Sequence, residues 1–357
     1  MGLETTFWMC TRTSFPKTSK SNNNTASTPF QPVLLAVKSM MLQLSIFNSK
    51  WKYSLEEHVH LALATTSVLL LTRCRHPNDF KGFIEYVNWN AAVDLIEKKY
   101  GIKRHSMPLE AINSLLAIVD ELLAKGIDRE QADTKVKSLP LEPHIRKFAR
   151  ALRLLVMKLP VMPMEEDFDN ETYLRWTNES TLEAKSMRES SSRPDVCITK
   201  SCGVKWSTSV GYGEAKSSAH DQDNFQSLHN YLICKDLLKV TIFCKEALDV
   251  QLMEGIQIVG RTIKFYLLVL PANGLYGMIE LADIKIPDSL GSLPSLITDA
   301  HKVMKVLDVF DRVCVPSCDT TTALGRRTDT MSMAKFDQLF TMSKNRKKPC
   351  DIKIRHN

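Results

Sequence analysis

Two short stretches carry side chains whose chemistry follows from type and spacing: Arg193-Pro194-Asp195-Val196-Cys197-Ile198 and Gly211-Tyr212-Gly213-Glu214-Ala215-Lys216. Both have the composition of strands, over Pro194 to Thr199 and Val204 to Lys216, with Ser201 to Gly203 as the turn between them. Side chains alternate along a strand, so Glu214 and Lys216 share one face and Ala215 takes the other. Antiparallel pairing would bring Asp195 to the face of Glu214. Carboxylates gathered in this way repel one another, and a hard divalent cation such as Mg²⁺ or Mn²⁺, bound through oxygen, relieves the repulsion. A lysine beside a metal-bound water can steer or deprotonate it, or offset charge on a phosphorane-like transition state. The chemistry this set would perform is metal-assisted attack of water on a phosphodiester. The bland alternative is an ordinary ion-pair cluster on a sheet.

The pattern resembles the PD-(D/E)XK nuclease superfamily: Pro194-Asp195, then 18 residues, then Glu214-Ala215-Lys216. Glu183-Ala184-Lys185 spells the same three letters but follows no Pro-Asp, and Pro287-Asp288 has no acidic-x-Lys after it. The resemblance implies an α/β (mixed α+β) restriction-endonuclease-like core, running helix, three strands, helix, strand, over about 140 residues from Glu142 to Asp283. It implies Asp195 and Glu214 as metal ligands with the Ala215 carbonyl as a further oxygen, Lys216 as the residue that positions the water, and Mg²⁺ or Mn²⁺ as cofactor. Many members carry another acidic residue on the first core helix. Here the candidates are Glu142, at the start of that helix, and Glu179 from the following segment. Arg193, Lys235 and Lys239 are candidates for contact with DNA or RNA. The alternative function is a nuclease-fold protein without turnover, acting as a nucleic-acid-binding or interaction module.

The elements that must position these residues can be read from periodicity. A helix begins at Pro143, the favoured first helical position, with Ile145, Phe148, Leu152, Leu155, Val156 and Leu159 on its apolar face. Its other face carries Arg146, Lys147, Arg150, Arg153 and Lys158, a solvated or phosphate-contacting surface. Strand-like pieces follow near Tyr173, Asp195 and Gly213, then a long helix from Asp223 to about Leu248. Thr262 to Leu270 and Leu275 to Asp283 flank Asn273-Gly274, a hairpin turn signal. Gly211-Tyr212-Gly213 lacks the Lys-Ser/Thr of a phosphate loop, so close backbone approach is the simpler use of its glycines.

The remaining chain divides into a polar, disordered arm (1–30), a helical N-terminal region (31–140) and a helical extension (287–341) that follows the nuclease-like core (141–286). A basic tail (342–357) ends it. In the N-terminal region, Val59 to Leu71 reads as a buried helix, and Leu109, Ile112, Leu116, Val119 and Leu123 make the stripe of another. Pro294 opens the last amphipathic helix, with Leu296, Ile297, Val303, Met304, Leu307 and Phe310 facing inward.

Composition bounds the rest. The 357 residues are 44% apolar and 24% charged, enough for a real core and unlike a disordered chain or a fibre. The formal charge of +7 permits a polyanionic partner without demanding one, and the tail supplies +5 of it: Lys344, Arg346, Lys347, Lys348, Lys353 and Arg355 against Asp351. The longest apolar run is too short to span a bilayer, so no membrane partner is expected. Without a secretory signal the nine cysteines read as reduced thiols, and neither Cys197/Cys202 nor Cys314/Cys318 has zinc-site spacing. The expected location is intracellular, with the basic tail favouring the nucleus over the mitochondrion. Substrate strandedness and oligomeric state have no signature in the sequence.

Overall fold

A computed structural model describes residues 52–82, 84–103, 105–163, 194–202, 205–216, 223–248, 253–314 and 333–342. The arm expected over residues 1–30, the strand expected near Tyr173, and the tail beyond residue 342 lie outside them. The described helices are α1 (Val59–Thr65), α2 (Tyr86–Lys99), α3 (Leu109–Leu123), α4 (Arg129–Ser138), α5 (Pro143–Lys158), α6 (Asp223–Ala247), α7 (Leu293–Thr298), α8 (Ala300–Arg312) and α9 (Met333–Leu339). The strands are β1 (Tyr53–Ser54), β2 (Val68–Leu71), β3 (Val196–Cys202), β4 (Lys205–Lys216), β5 (Met253–Val259), β6 (Thr262–Ala272), β7 (Leu275–Lys285) and β8 (Phe340–Thr341). The fold is mixed α/β. No described helix is long and apolar enough to cross a membrane.

Six strands form one mixed sheet in the order β2-β7-β6-β5-β4-β3, and β1 pairs separately with β8. β3 and β4 are antiparallel, with Val196 opposite Gly213 and Cys197 opposite Tyr212. β4 and β5 are parallel, which requires the crossover supplied by α6. β5, β6 and β7 then run as an antiparallel meander, and β2 returns parallel to β7.

Helices cover both faces of this sheet. α6 lies over β4, β5 and β6, with α1 beside it. Thr241 of α6 reaches Met278, and the Lys245 ammonium stands over the Tyr276 ring, so these even-numbered β7 side chains face α6. A side chain added at Gly277 would meet Ile96 of α2, which places α2 on the opposite face. α8 packs on β7 and on α5, and α5 packs on α4. Trp89, Phe148, Leu69 and Leu267 belong to one continuous core that joins the N-terminal helices to the sheet.

The helix at Pro143 buries Ile145, Phe148, Leu152 and Val156 as its period predicts. Part of its basic face is engaged within the protein. Arg153 makes a two-pronged pair with Asp133 at 2.6 and 2.8 Å, Lys147 pairs with Asp311, and Arg146 donates to the Leu141 carbonyl at 2.9 Å.

Four readings change. Val59 to Leu71 is not one helix: α1 ends at Thr65, Ser67 adopts φ 64°, and Val68–Leu71 is a strand. A uniformly apolar run fits either conformation, and pairing with β7 decides in favour of a strand. The region 31–140 therefore contains strands as well as helices. In α3 the buried stripe is Ala111, Leu115, Ile118, Val119 and Leu122, whereas Leu109 and Leu123 are exposed. The period was right and the phase rotated, because apolar residues occupy more than one side of this helix. The strand after α6 is β5, ahead of the strand containing Phe265. The last amphipathic helix breaks at Asp299 into α7 and α8.

Candidate active site

β3 and β4 bring Asp195 and Glu214 together by register. Continuing the Val196–Gly213 pairing by one step sets Asp195 opposite Glu214, and the Asp195 Oδ2 accepts a hydrogen bond from the Ala215 N–H at 3.0 Å. The close approach of strands here depends on Gly213. A Cβ at that position would lie 2.8 Å from the Ile256 carbonyl oxygen and 3.1 Å from the Val196 Cβ.

Glu214 and Lys216 both face α6, as strand alternation predicts, and α6 answers with charges of its own. Lys239 Nζ donates to Glu214 Oε2 at 3.2 Å and lies 3.3 Å from Asp236 Oδ1. Lys216 Nζ lies 3.4 Å from Asp236 Oδ2. The side chains of Glu214 and Asp236 are each only 3% exposed. Asp236 and Lys239 are three residues apart on one helix face, the spacing that lets a single ammonium address both carboxylates. Two buried carboxylates thus meet two ammonium groups, and Asp195 stands near enough to Glu214 to act on it electrostatically.

Ionisation reflects burial first. Burial pushes the Glu214 carboxyl up to about 7; Lys239 opposes the rise, and the negative charges of Asp195 and Asp236 add to it. Burial also raises Asp236, against the opposing pull of Lys216 and Lys239. Lys239 is lowered by burial but raised more by its two carboxylate partners, so its charge is held. The second oxygen of Glu214, Oε1, is buried and has no hydrogen-bond partner. A buried acceptor of this kind is what a cation or a proton satisfies.

The other sequence candidates are placed differently. Glu142 precedes α5 and stands 3.3 Å from His144, and α5 packs on α4 and α8. It does not complete the acidic set, because the helix over the site strands is α6. Glu179 and Arg193 lie outside the described residues. Lys235 stands 5.9 Å from the centre of the Tyr231 ring. Lys239, expected at a phosphate backbone, is instead engaged with Glu214 and Asp236. Among the described residues no group of three or more Asp, Glu, His or Cys is arranged to hold a metal.

Sequence reasoning missed Asp236 and Gln257. Asp236 is an acid amid the buried Leu237, Leu238 and Val240, and a charge on the apolar side of a helix is the signal that could have found it. Gln257 is buried in β5 directly opposite Glu214, and its side-chain amide donates to the Ile233 carbonyl of α6 at 2.7 Å. It ties the helix to the sheet beside the carboxylates. No protein-family model, curated protein or solved structure matches the chain.

Proposed function

We propose that the chain is a Mg²⁺- or Mn²⁺-dependent nuclease, hydrolysing phosphodiester bonds of DNA or RNA at Asp195, Glu214 and Lys216. The observation that carries this reading is the unpartnered Glu214 Oε1, set on the strand next to Asp195 and two residues from Lys216. That oxygen and the Asp195 carboxylate fit an oxygen-preferring divalent ion, and the Ala215 carbonyl is the third candidate ligand. When bound, the ion would polarise the phosphate and lower the pKa of a water. The succession α5, β3, β4, α6, β5, with β4 and β5 parallel, supports a restriction-endonuclease-like core.

The chain's own groups have separate tasks in this reading. Asp236 holds the Lys216 ammonium at the end of β4, where it can orient a water or donate a hydrogen bond to a phosphate oxygen gaining negative charge. Gln257 fixes α6 against β5, which keeps Asp236 in reach of Lys216. The test is a divalent-ion titration of the full chain and of Asp195→Ala. Binding that disappears in the variant supports the nuclease; no binding at millimolar metal removes it.

A second reading is a nuclease-fold protein without turnover that binds nucleic acid. It is favoured by Lys239, whose ammonium already serves Glu214 and Asp236, and by the lack of a third acidic ligand among the described residues. Oligonucleotide binding that is indifferent to divalent ions would select it.

A further inference from the structure

Resting on the metal-dependent reading above, we infer that Lys239 is the resident cation of the site, and that a divalent ion binding at Glu214 competes with its ammonium and displaces it. Three features carry this. First, the ammonium lies between two buried carboxylates, 3.2 Å from Glu214 and 3.3 Å from Asp236. Second, Glu214 is closed off from solvent while the Lys239 side chain is 38% exposed, so the lysine has a way out and the carboxylate does not. Third, Asp236 keeps a cation when Lys239 leaves, because Lys216 lies 3.4 Å from its other oxygen.

Charge counting gives the exchange its direction. With the three carboxylates ionised and Lys239 in place, the charges of Asp195, Glu214 and Asp236 exceed those of Lys216 and Lys239 by one. With a divalent ion in and Lys239 out, three negative charges face Lys216 and the ion's two, and the cluster is neutral. The freed ammonium stays tethered beside the site. Divalent binding is thereby made weaker than the carboxylates alone would give, since an ion pair must be broken for each ion bound.

The experiment uses Ca²⁺ as the probe on the full chain, with calorimetric titration of the wild type and of Lys239→Gln. The amide of glutamine can still donate to Glu214 but brings no charge. Removal of the competitor should tighten Ca²⁺ binding by about tenfold or more. A second measurement needs no variant: acylation of lysines in the wild type, read by mass spectrometry, with Lys235 as internal reference. Saturating Ca²⁺ should raise modification of Lys239 several-fold relative to Lys235. Equal Ca²⁺ affinity in wild type and Lys239→Gln, or unchanged labelling of Lys239 with Ca²⁺ bound, overturns the displacement and leaves the metal-dependent reading standing. Absence of Ca²⁺ binding in both proteins overturns the two together.

Discussion

The Ala215 N–H donates to the Asp195 carboxylate at 3.0 Å, so the acid that opens β3 is fastened to the backbone of β4. One group therefore serves two ends. It holds the strand pair at the point where Glu214 leaves it, and it adds the negative charge that helps keep Glu214 from ionising.

Separating these roles gives the first prediction. Asp195→Ala loses the hydrogen bond and should cost about 1.5–3 kcal/mol in urea unfolding, the range for a bond to a charged acceptor. Asp195→Asn keeps a carbonyl acceptor and should lose less than half as much. Equal losses would mean that the bond contributes nothing to the strand pairing.

Glu214 makes stability depend on pH with a definite sign. Its carboxyl ionises near the ordinary 4.5 when unfolded and at about 7 when folded. Below pH 4.5 both states are protonated and Glu214 exerts no penalty. As pH rises from 4.5 to 7 the unfolded state gives up its proton first, and stability falls by roughly 3 kcal/mol before levelling off. Glu214→Gln cannot titrate. Its stability relative to wild type should therefore rise between pH 4.5 and 7 and stay constant above, as followed by urea midpoints across that range. A difference independent of pH would show that Glu214 ionises in the fold at its ordinary value.

Lys216→Ala should leave the fold nearly intact, because Asp236 retains Lys239 at 3.3 Å. On the nuclease reading it should slow phosphodiester cleavage by on the order of 10²-fold, since the lysine acts on the transition state. Cleavage at the wild-type rate in this variant would assign the activity to another group or to a contaminant.

Gly213→Ala places a methyl group 2.8 Å from the Ile256 carbonyl oxygen, where the backbone itself must give way. A destabilisation of about 1–3 kcal/mol is expected from such overpacking. The strands that part are those holding Glu214, so divalent binding should weaken as well. A variant as stable as wild type in thermal unfolding would show that β4 and β5 have room to separate.

How much of this was legible depends on whether each residue's surroundings are local. α5 and α6 could be read because their apolar periods and the Pro143 start are properties of consecutive residues. The β6–β7 turn could be read because Asn273-Gly274 encodes it, with Gly274 at φ 71°. β5 could not, since a short apolar stretch between a helix and a hairpin has no period of its own, and parallel pairing with β4 is what makes it a strand. The same limit applies at the site. Glu214 and Lys216 share a face by alternation alone, but their partners Asp236 and Lys239 arrive through a crossover that no spacing rule places. Lys239 illustrates the difference: on sequence it is a surface base one turn from Lys235, and in the fold it neutralises two buried acids.

The parallel pairing of β2 with β7 has a consequence for how the chain is made. Val68–Leu71 finds its only described neighbours at Tyr276–Ile279, about 200 residues later. During synthesis at 5–20 residues per second, that strand waits on the order of 10–40 s for its partner. Throughout the interval Leu69 and Leu71, both buried at the end, lack the strand that pairs with theirs. The outermost strand is thus made early and housed late, and the nascent chain carries an apolar segment of the kind that chaperones bind until β7 leaves the ribosome.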